Sequence, residues 1–166
     1  MKKTQTFHFS VFRTPVGRFS VAVDSSGAVA AAAFGTERAL LGRLGGGALV
    51  PGAARTGAAR RQVEAWFLGR VRHFSARLSP EGTPFQLRVW SELRRIPFGE
   101  TRSYGQVARI VGSSARAVGR ASATNPICLM VPCHRVVGAD GSLTGFAFGV
   151  GAKRRLLELE GARLSG

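Results

Sequence analysis

Cys133, His134 and Arg135 stand in a row behind Pro132, and a thiol beside an imidazole and a guanidinium is a candidate nucleophile. A free cysteine is only about a few per cent thiolate at neutral pH, whereas neighbouring positive charge lowers its pKa to roughly 3.5–7.5. His134 has the chemistry of a base for that thiol, and a carboxylate elsewhere in the chain would orient the ring. Spacing sets a condition. Consecutive side chains of an extended strand point to opposite faces, so either the chain turns at Pro132-Cys133 or a water links thiol and imidazole. The bland alternative of a buried structural thiol suits Cys128, which sits inside the apolar run Ile127-Cys128-Leu129-Met130-Val131. A cysteine hydrolase usually draws its histidine from a distant part of the chain, so that reading is poor here.

The elements around this stretch must deliver it. Thr83, Pro84 and Gln86 form a helix start with a cap, a proline in the first turn and a glutamine three residues after the cap. Phe85, Val89, Trp90, Leu93 and Ile96 then make one apolar stripe, which reads as core. The start signature recurs with Ser103 and Gln106, and that helix runs to Gly112. Ser114 caps another, with Arg116 in its first turn and Ala117, Val118 and Ala121 as small apolar contacts. Two short helices around a glycine turn, the second with arginines near its start, outline a helix-turn-helix. Asn125-Pro126 ends the second helix, because a residue before proline is disfavoured in the helical region. Residues 127–131 read as a strand that carries Cys133, and residues 153–160 as a final helix stopped by Gly161.

The amino-terminal half reads differently. Residues 7–12, 19–24 and 29–34 are candidate strands, separated by turn signals at Pro15, Gly17 and Gly27 that suit antiparallel pairing. Residues 44–58, rich in glycine and alanine, read as a loop. Residues 60–68 carry Val63, Trp66 and Phe67 at helical spacing, and residues 73–78 read as a further strand. Ser79-Pro80-Glu81-Gly82 marks a domain boundary. The expected fold is therefore α+β: a small antiparallel sheet with a helix in residues 1–80, then a mostly helical, winged-helix-like domain in residues 81–166.

Composition narrows the function classes. A chain of 166 residues with 45% hydrophobic content and eleven phenylalanines has the material for a packed core and is not disordered. No apolar run approaches the roughly 20 residues of a membrane span. The first residues lack the apolar segment of a secretory signal, so the cytoplasm is expected. Two cysteines exclude a disulfide framework, and His8, His73 and His134 are too scattered for a local metal motif. No metal is expected. The formal charge of +15 comes from 24 basic and 9 acidic residues, and three of the basic residues are lysines, leaving 21 arginines. A polyanionic partner follows, because the planar guanidinium pairs bidentately with phosphates and base edges. A compositional bias that also raises alanine and glycine accounts for part of the excess.

The run Pro132-Cys133-His134-Arg135-Val136, with Asn125-Pro126-Ile127 before it, resembles the active-site signature of the O6-alkylguanine-DNA alkyltransferases. Phe85-Gln86, Val89-Trp90, Ile96-Pro97, Gly99-Glu100-Thr101, Ser103-Tyr104-Gly105-Gln106, Arg116-Ala117-Val118-Gly119 and Leu156-Leu157-Glu158-Leu159-Glu160-Gly161 match the same family in order. The resemblance covers most of residues 83–161; residues 1–80 are similar only loosely. It implies a single-turnover repair protein that needs no cofactor and works as a monomer on double-stranded DNA containing O6-alkylguanine. In that family's scheme Cys133 takes the alkyl group, His134 accepts the thiol proton through a water, and Glu160 holds the imidazole. Asn125 braces the turn, and Tyr104 assists nucleotide rotation and donates toward guanine N3. Arg116 fills the vacated stack. Ser103, Gln106, Ala117, Arg120 and Arg135 are expected on the DNA side. Val136, Phe146, Ala147 and Phe148 are expected around the alkyl pocket.

Three features depart from the family pattern. The segment between Tyr104 and Arg116 is two residues shorter than usual. Phe146 stands where tyrosine is common, and Phe148 where a glycine is expected. A bulky Phe148 is expected to narrow the pocket, so that methyl adducts are accepted and benzyl-sized ones react poorly. The runner-up is a non-catalytic lesion binder or DNA-binding regulator on the same fold, and Cys133 argues against it.

Overall fold

The computed structural model describes residues 4–164; residues 1–3, read above for a targeting signal, lie outside the described residues. The chain divides into two compact units, one of residues 1–81 with 126–130, the other of residues 82–125 with 131–166. The break after residue 81 falls at the Pro-Gly punctuation. Residues 126–130 differ from expectation, for they pack with the first unit.

The first unit is a four-stranded sheet in the order β3-β2-β1-β4. Strands β1 (Thr6–Thr14), β2 (Gly17–Val23) and β3 (Val29–Phe34) pair antiparallel, as the turn signals imply. Phe12, Phe19 and Phe34 interlock between them, with ring centroids 5.8 and 5.0 Å apart. A short helix α1 (Glu37–Leu41) follows, which the sequence reading did not contain.

Residues 44–58 are not a loop. They form β4 (Ala48–Pro51), parallel to β1, and the first turns of α2 (Ala53–Phe67), so the sheet is mixed at one edge. Glycine and alanine misled the reading for separate reasons. Alanine is the strongest helix former, and Gly47 is where β4 approaches β1 closely: a Cβ there would stand 2.6 Å from the Gln5 carbonyl.

Residues 73–78 and 127–131 are not strands either. They contribute only isolated bridges, Leu78 to Val29 and Ile127 to Ala32 among them. The second run is apolar because it is buried, and it cannot extend because Leu129 adopts a left-handed φ of 72°. A short apolar run reports burial before it reports conformation.

The second unit holds α3 (Pro84–Leu93), β5 (Arg102–Ser103), α4 (Tyr104–Val111), α5 (Ala115–Ala123), a 3-10 turn (Cys133–Arg135), β6 (Val136–Val137) and α6 (Val150–Leu159). Both capping boxes form: the Thr83 and Ser103 hydroxyls accept from the Gln86 and Gln106 amides, and each glutamine side chain accepts from its cap residue's N–H. Gly112 closes α4 in the left-handed conformation at φ 71°, and Ser113 and Ser114 complete the turn into α5. Val89 and Leu93 are fully buried, each worth about 1.5–3 kcal/mol. Trp90 ties α3 to α5 by donating its indole N–H to the Ala121 carbonyl at 2.8 Å. β5 and β6 pair parallel, Arg102 with Val136, which anchors the chain just after the cysteine turn. α6 begins at Val150, earlier than the expected start at Lys153.

Candidate functional site: a cysteine turn beside a helix-turn-helix

The second unit brings Cys133, His134 and Arg135 into one 3-10 turn. The chain turns at Pro132-Cys133, the first of the two arrangements open to the sequence. Cys133 N–H donates to Val131 O at 2.8 Å and Arg135 N–H to Pro132 O at 3.0 Å. Asn125 braces the approach: its buried side-chain amide donates to Val131 O at 2.9 Å. Cys133 is half-buried at the head of the turn, and Cys128 is fully buried.

Behind the thiol lies a buried ionic cluster. His134 Nε2 is 2.8 Å from Glu160 Oε1. Arg135 Nε lies 3.0 Å from each Glu160 oxygen, its Nη2 is 2.7 Å from Oε1, and its Nη1 donates to the Ile96 carbonyl at 2.7 Å. Burial opposes ionisation of Glu160, yet the hydrogen bonds and charges of His134 and Arg135 outweigh it and hold the carboxyl below its usual range. Burial is also the main influence on His134 and pushes its pKa down, against the pull of Glu160. A neutral ring facing an ionised carboxylate must donate from Nε2, which leaves the acceptor lone pair on Nδ1. That is the tautomer a thiol proton requires.

Arg135 corrects one expectation. The family resemblance puts it on the DNA side, but its side chain is only 8% exposed and its guanidinium is committed to Glu160. Buried charge must be paired, and this is the pair.

A groove of about 550 Å³ runs between α5 and the segment before α6, lined by Tyr104, Arg116, Gly119, Arg120, Phe146 and Ala147 among others. Arg116 is exposed in the first turn of α5. Tyr104 donates to the Thr144 carbonyl at 3.0 Å. Its pKa is raised, first by burial and then by repulsion from Cys133, so Tyr104 both lines the groove and lies within electrostatic reach of the thiol. Phe146 and Phe148 meet edge to face at 5.5 Å, but Phe148 and the fully buried Val136 do not line the groove. Ser103 and Gln106 cap α4, and Ala117 is half-buried on α5.

The sequence reading missed Lys153. It lies fully buried on the face of α6 shared by Leu156, Leu157 and Glu160, and its ammonium donates to Thr144 O at 2.8 Å. A lysine at an apolar-stripe position was the available signal.

A family model for the DNA-binding domain of 6-O-methylguanine DNA methyltransferase matches residues 84–162. A methylated-DNA–protein-cysteine methyltransferase from Methanosarcina acetivorans is 53% identical over 106 residues, 63% of this chain and 68% of that protein. This chain belongs to the methylated-DNA–protein-cysteine methyltransferase family. The methyltransferase of that name from Mycobacterium tuberculosis is 53% identical over 104 residues, 61% of this chain and 63% of its own length. The structural likeness extends further than the sequence likeness. Mycobacterium tuberculosis OGT in complex with DNA has a TM-score of 0.80 at 39% identity and covers 93% of this chain and 92% of its own. A methyltransferase from Pyrococcus kodakaraensis has a TM-score of 0.64 at 26% identity, covering 94% and 99%. The cysteine turn, the ionic cluster, the helix-turn-helix and Lys153 all fall inside the family-matched span.

Proposed function

We propose that this chain repairs alkylated DNA by transferring the alkyl group from O6 of guanine, and from O4 of thymine, to Cys133, once per molecule. The observation that carries the reading is the half-buried thiol on a turn that also holds a neutral His134 against Glu160. The target atom is hidden inside the duplex, so the nucleotide must leave the stack at a cost of about a few kcal/mol. Arg116, exposed at the start of α5, would fill the vacated space, while Ser103, Gln106, Ala117 and Arg120 face the backbone and groove. No helix among the described residues is long and apolar enough to cross a membrane. Cysteines that form no disulfide with each other and a DNA substrate support a place in the cytoplasm, at the nucleoid, with the protein acting as a monomer.

The proton of Cys133 passes through a water to His134 Nδ1, and Glu160 stabilises the imidazolium that forms. The sulfur lone pair attacks the alkyl carbon as the carbon–O6 bond breaks, and its electrons pass into the guanine ring. Tyr104 donates toward N3 and so makes the base a better leaving group. The product is a thioether with no leaving group, and Cys133 cannot be regenerated along this path. Mixing the protein with a duplex carrying one O6-methylguanine tests the reading. The Cys133 peptide should gain one methyl by mass, and the Cys133→Ser protein none; an unmodified Cys133 would count against it.

A further inference from the structure

Lys153 is a buried charge that the transfer chemistry leaves without a role. Its ammonium donates to the Thr144 carbonyl at 2.8 Å and stands 5.7 Å from the centroid of the Tyr104 ring. The Tyr104 hydroxyl donates to that same carbonyl at 3.0 Å. One oxygen therefore accepts two donors, one for each lone pair. It belongs to the segment whose next residues, Gly145, Phe146 and Ala147, form one side of the groove.

A hydroxyl has one hydrogen to give. While Tyr104 gives it to Thr144, it cannot give it to a ring nitrogen of an incoming base. If Tyr104 were the sole donor, its departure would unpair the carbonyl and release the groove wall. We infer that Lys153 is a positioning residue: it keeps the Thr144 carbonyl and the groove wall in place while Tyr104 hands its hydrogen bond over to the base. This rests on the transfer reading and deepens it, since Tyr104 has a second acceptor only if a base arrives beside Cys133.

The charge of Lys153 supplies a handle on the clip. Burial lowers its pKa to about 8, with the negative charge of Cys133 opposing the shift. The titratable groups that act on it or feel it are Tyr104 from α4 and Cys133 and His134 from the 3-10 turn, with the Arg135–Glu160 pair beyond them. Arg154, Arg155 and Glu158 of its own helix are exposed. Below about pH 8 the ammonium makes a charge-assisted hydrogen bond; above it the bond weakens to that of a neutral amine.

Tyr104 is the sole tyrosine of the chain, so 13Cζ-tyrosine labelling yields one resonance that reports on the clip. In the Cys133→Ser protein, which removes the ionisable thiol, that resonance should titrate with a midpoint at or somewhat below the value of about 8. It should be flat in Cys133→Ser with Lys153→Met. With Cys133 intact, Lys153→Met should slow methyl transfer at neutral pH by roughly tenfold, the worth of one charge-assisted hydrogen bond. Lys153→Arg should keep most of the rate and lose its decline above about pH 8. A resonance that stays flat between about pH 6.5 and about pH 9.5 in the lysine-containing protein overturns the inference, as does a Lys153→Met rate within about twofold of the parent. If Lys153→Met does not fold, the titration of the lysine-containing protein decides. Failure of the transfer reading is distinguishable, because the parent protein itself would then leave Cys133 unmethylated.

Discussion

Glutamine in place of Glu160 perturbs the site most sharply for the smallest change in shape. The carboxylate accepts from Arg135 Nε at 3.0 Å on both oxygens, from Nη2 at 2.7 Å and from His134 Nε2 at 2.8 Å. Every partner is a donor. An amide offers one acceptor and one NH2, so in either orientation a donor faces a donor, and the buried guanidinium loses its counterion. The side chains of Arg135 and Glu160 are 8% and 0% exposed, so solvent screening gives little relief. Breaking a buried pair by removing one partner costs about 3–5 kcal/mol, a large share of the roughly 5–15 kcal/mol that holds a domain together. Urea unfolding followed through Trp66 and Trp90, both buried at 3% exposure, gives the measurement. With m of about 1–3 kcal/mol/M, the midpoint should fall by about 1–5 M. Adding Arg135→Met should recover part of the loss, because replacing both partners removes the orphaned charge. A drop below about 1 kcal/mol at unchanged m is the value of an exposed pair and would refute the reasoning.

Acid sensitivity follows from the same cluster. His134 and Glu160 both have folded pKa values below their ordinary 6.5 and 4.5, so the unfolded chain binds more protons as pH falls. Stability should therefore decline below about pH 6.5 and again below about pH 4.5; a urea midpoint that stays level from pH 7 to pH 4 contradicts this. Asn125→Ala removes the donor to the Val131 carbonyl and should cost about 1–3 kcal/mol, with slower methyl transfer as the turn loosens; unchanged stability and rate would remove the bracing role. Phe148→Gly takes away one member of the edge-to-face pair with Phe146. Phe148 does not itself line the groove, so its effect runs through Phe146, which does: loosening that pair should speed inactivation by O6-benzylguanine while leaving methyl transfer nearly unchanged, and rapid inactivation of the parent protein would sink the narrowing argument.

Local chemistry was the legible part of the chain. Thr83 with Gln86 and Ser103 with Gln106 announce their helices, because a capping box needs only residues three apart, and both boxes form. The antiparallel strands β1 to β3 show in their turn residues for the same reason. What escaped depends on distant partners. The parallel pairing of β4 with β1 needs Gly47 to sit against Gln5, which no window around residues 44–58 contains. Ile127 to Val131 looks extended because it is apolar, whereas burial against β3 together with the left-handed Leu129 shapes it otherwise. Within the site, the adjacency of Cys133 and His134 is in the sequence, but the commitment of Arg135 to Glu160 is not. Twenty-five positions separate that pair, and an arginine in a basic chain reads as a phosphate contact until its burial is known. Lys153 escaped for the converse reason, as a cation on a helix face that ordinarily carries apolar residues.

The central claim is that Cys133 is a sacrificial acceptor, consumed by one transfer. Titrating a duplex with a single O6-methylguanine, labelled in its methyl group, against a fixed amount of protein measures this directly. Label should rise to one methyl per chain, reside on Cys133, and stay there when fresh duplex is added. Label released as free product, or lesions repaired in excess of the protein present, would contradict the account.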